Sequence, residues 1–257
     1  KYNKRILLYF FKNGIIEVND HILEFLLHKR DPIYYDNIYY FFNIIKCHIS
    51  ESTRQVFENQ MRKFSPRIFD NFDAKCEKGE NETLISEFIR KDSVKDFITY
   101  VNRTNTSLSS YLERSIFETN SILIEKSSIS LIEYAAFNGS LQIFQYLRLN
   151  NVRLTPSLWI YAIHGRNPEL IHLIEECNLE KDSLMLFNEA IKCHHNEIAN
   201  YIDESMVAQK ENIERVEEET VKEDSKLIGF LKGCLSSLFY SKSEFVYSFQ
   251  NQEKKHT

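Results

Sequence analysis

One short segment occurs three times along this chain, and its spacing constrains the fold more than any other feature of the sequence. The three copies are 13 residues long, align without gaps and begin at Ala135, Ala162 and Ala190, so their starts are 27 and 28 residues apart. In each copy a small residue ends an apolar stretch, a polar break follows, and Gln or Glu then precedes two apolar residues. Self-similarity at such a period is typical of repeat architectures, in which each copy is one supersecondary unit.

Within each copy the apolar residues have helical spacing on both sides of the break. In the first copy the break is at Gly139, which can adopt the left-handed conformation that ends a helix without a Cβ clash. In the second copy Pro168 stands at the start of the second helix, where its missing N–H had no partner to lose. Each unit is therefore predicted to be a helix, a tight turn and a second helix. The apolar stripes are formed by Leu131, Ile132, Ala135, Ala136, Ile143, Phe144 and Leu147; by Trp159, Ala162, Ile163, Leu170, Ile171 and Ile174; and by Phe187, Ala190, Ile191, Ile198, Ala199 and Ile202.

The composition also favours a largely helical chain. Six glycines and four prolines among 257 residues are few for sandwiches or barrels, which need such residues at their many turns. Because one helix pair cannot bury its apolar stripe alone, successive pairs are expected to stack and cover one another. The predicted fold class is therefore all-α, an α-solenoid of stacked helix-turn-helix units.

The first copy and the residues before it resemble an ankyrin repeat. Ser130–Leu147 (SLIEYAAFNGSLQIFQYL) matches the family consensus in its paired alanines, its glycine and its Gln-Ile pair. More broadly, residues from about Leu84 to Ile202 are similar to a divergent ankyrin-type family that is expanded in certain protists and whose molecular role is uncharacterised. The phrases NRTN, SIFETN, SLWIYAIHG and IKCHHNEIANYI carry that similarity. The resemblance implies a helical solenoid that binds other proteins and has no catalytic activity.

The chain departs from the ankyrin pattern in its period and in its turn residues. A spacing of 27–28 residues is shorter than the standard period of about 33. Only Leu149–Pro156 separates one pair from the next, so the projecting β-turn fingers are expected to be shortened. Gly165 lies one place early relative to Gly139, and Arg166 and His194 take the consensus glycine place in the second and third copies.

Outside the three copies the sequence predicts further helices and a charged tail. An additional helix pair is expected near the start of the repeat region, with Arg90 in the second alanine place, and the polar segment Asp70–Asn81 is expected to be a loop. The predicted regions are an N-terminal helical region of degenerate repeats (1–83), an ankyrin-like solenoid (84–204), an acidic linker or helix (205–225) and a capping helix with a frayed tail (226–257).

Charge and cysteine content limit the classes of partner. The formal net charge of −5 disfavours nucleic acid, because phosphate contacts require a basic surface. No apolar run approaches the ~20 residues that span a bilayer, and five scattered cysteines are typical of reduced intracellular thiols. We therefore expect an intracellular, cytoplasmic protein that binds an unidentified protein partner, without nucleic acid, membrane or small-molecule substrate.

Several histidines and cysteines are candidates for metal binding or catalysis. A zinc site needs converging ligands, whereas neighbouring side chains on a helix or turn diverge. The chain also lacks a nucleophile elbow, a P-loop and a dinucleotide-binding motif. We expect no enzymatic activity, no cofactor and no metal; a nucleic-acid-binding repeat protein is the alternative function, and a metal-dependent enzyme is the less favoured one. The candidate residues are His164, His172, Cys177, Cys193, His194 and His195.

The predicted function is a non-catalytic protein–protein interaction module that uses the concave face of the solenoid. Residues that flank the alanines on each first helix should line this face, and aromatic side chains there offer large contact area at low entropic cost. Packing between repeats is an equal alternative for Phe137, and Trp159 is expected to lie inside. The predicted partner-binding residues are Tyr134, Phe137, Asn138, Tyr161, His164, Glu189 and Lys192.

Overall fold

Helices form most of the chain that the structure describes. The structure is a computed structural model that describes residues 3–27, 34–126 and 128–204. The helical content confirms the all-α prediction. The predicted linker (205–225) and capping helix (226–257) lie outside the described residues, and none of the described helices is both long and apolar enough to cross a bilayer.

The chain divides into two compact regions, Lys1–His195 and Asn196–Thr257. In the second region, residues 196–204 are helical. The elements of the first region are α1 (Lys4–Lys12), α2 (Asp20–Leu26), α3 (Tyr34–Tyr40), α4 (Phe42–Ile45), α5 (Glu51–Phe64), α6 (Phe72–Lys78), α7 (Leu84–Arg90), α8 (Val94–Thr104), β1 (Tyr111–Leu112), α9 (Ser121–Glu125), β2 (Ile129–Ser130), α10 (Leu131–Phe137), α11 (Leu141–Leu149), α12 (Leu158–Gly165), α13 (Pro168–Glu175) and α14 (Ser183–Lys192).

The first six helices share one apolar cluster. Helix α6 contributes Phe72 and Cys76, four residues apart and both buried. The prediction of a loop over Asp70–Asn81 is wrong, because this mostly polar segment places those two side chains on one helical face, and Gly79 (φ 66°) ends the helix. The cluster consists of Leu8, Leu26, Ile38, Tyr39, Tyr40, Phe41, Phe42, Ile45, Phe57, Met61, Ile68, Phe72, Cys76 and Phe117.

From α7 onward the helices are arranged in consecutive pairs. Helix α7 packs against α8, α10 against α11, and α12 against α13. The first helices also contact one another in chain order: α7 with α10, α10 with α12, and α12 with α14. Each pair therefore buries part of its apolar stripe against the next pair, as expected for units that cannot bury it alone. Trp159 of α12 is buried, as its place in the stripe predicts.

A residue in the left-handed conformation stands at the corresponding place in each unit, directly after the first helix. Only one of these residues is glycine, so in three of the four units the turn forms without the residue type that favours it. A non-glycine residue pays roughly 1–2 kcal/mol for that conformation, which the surrounding packing must offset. The four residues are Asp92 (φ 48°), Gly139 (φ 65°), Arg166 (φ 53°) and His194 (φ 57°).

Asp92 also defines the register of the unit that precedes the three copies. The next amide, that of Ser93, donates to the Phe88 carbonyl at 3.0 Å, and the same bond joins the corresponding residues of the following unit at 2.9 Å. Phe88 and Ile89 therefore occupy the two alanine places. The prediction that Arg90 takes the second of them is wrong by one place, because no glycine marks this turn in the sequence.

Gly165 is explained by a close approach of two backbones. It lies at the end of α12, and a Cβ there would fall far inside contact distance of the Ala136 carbonyl oxygen and 2.8 Å from the Gly139 amide nitrogen. The Asn167 side-chain nitrogen, just beyond, donates to the Gly139 carbonyl at 2.9 Å. The glycine is displaced by one place because it marks where neighbouring units touch, whereas the chain turns at Arg166.

The connections between units differ in length. Helix α11 ends at Leu149 and α12 begins at Leu158, and residues 150–157 contain no strand. The longer connection between α8 and α10 forms an antiparallel ribbon in which Tyr111 pairs with Ser130. Ser130 then caps α10 by accepting from the amide of Glu133.

Glu133 joins this cap to the following unit. Its Oε2 accepts from the amide and hydroxyl of Ser130 at 3.0 and 2.8 Å, and its Oε1 accepts from the Ser157 hydroxyl at 2.6 Å. Burial alone would raise the pKa of Glu133, but these hydrogen bonds and the nearby Lys126 ammonium outweigh burial and lower the pKa. The ionised carboxylate therefore stabilises the fold.

Replacing Glu133 by Gln is expected to destabilise the protein at neutral pH by about 1–2 kcal/mol, because charge-assisted hydrogen bonds are lost. A lowered folded-state pKa contributes stability above the unfolded value of about 4.3, and this contribution is lost as the pH falls through the folded value. The difference between the two proteins should therefore shrink below about pH 4. Urea unfolding at pH 7 and pH 3.5 measures it, with Glu24→Gln at an exposed position of α2 as the control; a difference unchanged at pH 3.5 would contradict the assignment.

Candidate functional site

The seven predicted partner-binding residues occupy recurring places on three first helices. Because α10 contacts α12 and α12 contacts α14, equivalent places on the three helices are neighbours. One place holds Tyr134, Tyr161 and Glu189, the place three residues later holds Phe137, His164 and Lys192, and Asn138 follows Phe137.

Tyr134 is buried and is not presented to a partner. Only 2% of its surface is exposed, and Arg90 of α7 donates from Nη1 to its hydroxyl oxygen at 2.8 Å. Burial raises the pKa of Tyr134 to about 12, so the hydroxyl stays neutral. The expectation that this tyrosine contacts a partner is corrected, because the preceding unit covers it.

Tyr161 is buried to the same extent, with 2% of its surface exposed. The Lys126 ammonium lies 5.0 Å from the centroid of its ring. Burial raises the pKa of Tyr161, although the Lys126 ammonium opposes that shift. The expectation of a surface role for Tyr161 is corrected in the same way, because its side chain is buried and Lys126 lies over its ring.

Phe137 and Asn138, at the end of α10, remain partly exposed. The Phe137 ring stacks on the His164 ring with centroids 5.5 Å apart and an angle of 22° between planes. The Asn138 side-chain nitrogen donates to the Tyr134 carbonyl at 2.8 Å. Phe137 thus packs between neighbouring helix pairs and stays partly exposed.

His164 lies at the centre of a polar cluster that links α12 to α14. Its Nε2 is 3.1 Å from Oε1 of Glu189, and the two side chains are 16% and 19% exposed. The exposed Lys192 ammonium lies 3.2 Å from the other carboxylate oxygen. Burial would raise the pKa of Glu189, but the hydrogen bonds from His164 and Lys192 outweigh it and lower the pKa.

Cys193 completes this cluster. Its Sγ lies 3.5 Å from Nε2 and 3.6 Å from Nδ1 of His164, so neither nitrogen points directly at the sulfur. Burial and the Glu189 carboxylate raise the pKa of Cys193. A nucleophilic cysteine requires a lowered pKa and an aligned base, so this thiol is not arranged for nucleophilic attack.

The remaining histidine and cysteine candidates lie apart from this cluster. His172 is 3.4 Å from the Glu175 carboxylate on its own helix, and the Cys177 thiol donates to the Leu173 carbonyl at 3.1 Å. His195 accepts a hydrogen bond from Arg166 at 3.0 Å.

The sequence did not indicate the contacts of Arg90 or Cys193. The Arg90 contacts depend on how the α7–α8 pair aligns with the three later copies, and no glycine in the sequence marks that alignment. For Cys193 a signal was present, since it holds on α14 the place that Asn138 holds on α10, next to the row that contains His164.

A cavity of about 30 Å³ lies beside the β1–β2 ribbon, between Glu118 and Tyr134. A volume of this size has room for only a few water molecules. Burial raises the pKa of Glu118 despite hydrogen bonds from the following backbone amides. A second, more open cavity of about 650 Å³ is lined mostly by residues of α1 and contains none of the predicted partner-binding residues. The partly exposed ends of the first helices therefore remain the candidate site.

Comparisons with protein-family models, with curated proteins and with solved structures found no match to this chain.

Proposed function

We propose that this chain is a divergent ankyrin-type repeat protein that acts as a non-catalytic protein-interaction module in the cytoplasm. The observation that carries the proposal is the contact of α7, α10, α12 and α14 in chain order, with a left-handed residue at the same place in every unit. A solenoid of such units presents one continuous face built from first helices, and repeat proteins use faces of this kind to bind partners.

The surface that would meet a partner consists of Phe137, Asn138, His164 and Lys192, which we call the first-helix face. It combines a partly exposed aromatic ring, an amide and an ammonium group. Aromatic residues next to polar ones are enriched at binding hot spots. Packing of the Phe137 ring on His164 also holds it in one orientation, which lowers the entropic cost of binding.

The double variant Phe137→Ala with Lys192→Glu is expected to weaken partner binding by at least about tenfold, because it removes an aromatic contact and reverses a charge on the same face. Affinity capture from native extract with quantitative mass spectrometry would identify proteins retained by the unmodified chain, and titration with the recovered partner would then measure the affinity.

Leu149→Ser is the matched control for that experiment. Leu149 ends α11, a second helix, and is 81% exposed, so its replacement also removes an exposed apolar side chain but leaves the first-helix face intact. Circular dichroism should show the same helical content in both variants. A partner that is lost from the Leu149→Ser protein and kept by the double variant would place the binding surface elsewhere.

A further inference from the structure

Three potential metal ligands from two helices converge in the His164 cluster. One donor atom each from His164, Glu189 and Cys193 lies within 4.8 Å of the other two. The His164 Nε2 is 3.5 Å from the Cys193 sulfur and 3.1 Å from the Glu189 oxygen. Zinc bonds of about 2.0–2.3 Å in a tetrahedron place neighbouring donor atoms roughly 3.3–3.6 Å apart. The two spacings from His164 are close to these values, and the Glu189 oxygen and the Cys193 sulfur lie within 4.8 Å of each other.

The donor set suits zinc in its chemistry as well as its spacing. Imidazole nitrogen, carboxylate oxygen and thiolate sulfur are the three donor types that zinc accepts, and a mixed set disfavours hard cations such as magnesium and calcium. The His164 and Glu189 side chains are 16% and 19% exposed, so an ion can reach them from solvent. Stacking on Phe137 holds the imidazole in place before an ion arrives.

We propose that His164, Glu189 and Cys193 form a zinc site that joins α12 to α14. Three protein ligands leave the fourth tetrahedral position to water, as in zinc sites with an open coordination position. The site shares His164 with the proposed first-helix face, but zinc binding requires no partner and can be tested without one.

Charge and proton balance favour binding of a divalent cation. The Glu189 carboxylate and the Cys193 thiolate together carry two negative charges, which match Zn²⁺. Lys192 contacts Oε2 of Glu189, so Oε1 remains for the ion. As the zinc–sulfur bond forms, the thiol proton passes to solvent. The Nε2 proton that His164 shares with Glu189 in the metal-free protein moves to Nδ1 or to solvent, so that the neutral imidazole binds zinc through Nε2 with its proton on Nδ1. Because Cys193 must lose its proton to bind, zinc affinity should rise with pH.

The test uses the full chain, stripped of metal with a chelator and then titrated with Zn²⁺ or Co²⁺ alone. The unmodified protein should bind one equivalent of zinc, more tightly at pH 8 than at pH 6. With cobalt it should show thiolate-to-metal charge-transfer absorption and the visible bands of a tetrahedral site. Cys193→Ser should abolish the charge-transfer absorption, and both Cys193→Ser and Glu189→Gln should weaken zinc binding by roughly tenfold or more.

The double variant His172→Gln with Cys177→Ser is the matched control, because it removes a histidine and a cysteine outside the cluster. It should bind zinc as the unmodified chain does, and circular dichroism should confirm that all variants are folded. Failure of the unmodified chain to bind zinc would overturn the proposal. Charge-transfer absorption that persists in Cys193→Ser, or zinc binding weakened equally in the control, would overturn it as well.

Discussion

Gly165→Ala is expected to lower the free energy of unfolding by about 3 kcal/mol, at the upper end of the cost of overpacking. The added methyl group would enter the contact between α12 and the α10 turn, where it meets the Ala136 carbonyl oxygen and the Gly139 amide nitrogen. Both are backbone atoms and cannot rotate away. The two helices would have to separate, which would weaken the contact between α10 and α12.

Whether Gly165→Ala lowers or raises the free energy of unfolding shows which effect is larger, the overpacking between helices or the local helix preference of alanine. In an isolated helix, alanine in place of glycine stabilises by roughly 0.5–1 kcal/mol, so a local effect alone would make Gly165→Ala more stable than the unmodified protein. Urea unfolding followed by circular dichroism would distinguish the two outcomes. Gly14→Ala is the control, because its φ is 63° and a Cβ there meets nothing within 4 Å; it should cost only about 1 kcal/mol. A Gly165→Ala protein of unchanged or higher stability would contradict the close approach of these units.

Arg90→Met is the second substitution with a large expected effect, also about 3 kcal/mol. The Arg90 side chain is only 13% exposed and donates from Nη1 to the Asn81 carbonyl and the Tyr134 hydroxyl, both at 2.8 Å. Its Nε lies 2.9 Å from the Glu80 carboxylate. Methionine keeps much of the volume but none of the donors. The buried Tyr134 hydroxyl then loses its hydrogen-bond donor, and the Asn81 carbonyl keeps only the Ser86 hydroxyl; a buried group left unsatisfied costs about 1–3 kcal/mol.

Lys91→Met is the matched control for Arg90→Met. Lys91 is the next residue, its side chain is 64% exposed, and it pairs with Glu87 on the surface of the same helix. Pairs of this kind contribute about 0.5 kcal/mol or less. A double-mutant cycle with Tyr134→Phe should show coupling between Arg90 and Tyr134. Equal stability losses in Arg90→Met and Lys91→Met would mean that Arg90 does not join α7 to α10.

The helical units of the repeat region were predictable because their signals are local. Apolar residues at helical spacing and the 27–28 residue period indicate paired helices, and α10 to α14 begin and end close to the predicted places. The turn at His194 was also recognisable from the alignment of the copies, without a glycine. The helix over Phe72–Lys78 was missed because its stripe consists of only two residues, and local polarity outweighed them.

For the predicted partner-binding residues, the helical positions followed from the sequence, but the exposure did not. Places on a helix follow from the period, so Tyr134, Phe137, Tyr161 and His164 were assigned to neighbouring rows. Whether a side chain in such a row meets solvent depends on what the adjacent unit places over it. Arg90 covers Tyr134 and Lys126 covers Tyr161, and both come from parts of the chain that the alignment of copies did not include.

By itself, the sequence determined the paired helices of the three copies, their period and the places where the chain turns within them, because these depend on residues less than one repeat apart. The tertiary structure alone decided which tyrosines are buried, why Gly165 must be glycine, and that Cys193 meets His164 and Glu189. These features arise where separate units touch, and the contacts depend on how closely two helices approach. That distance is set by packing across the whole stack, which no local pattern encodes.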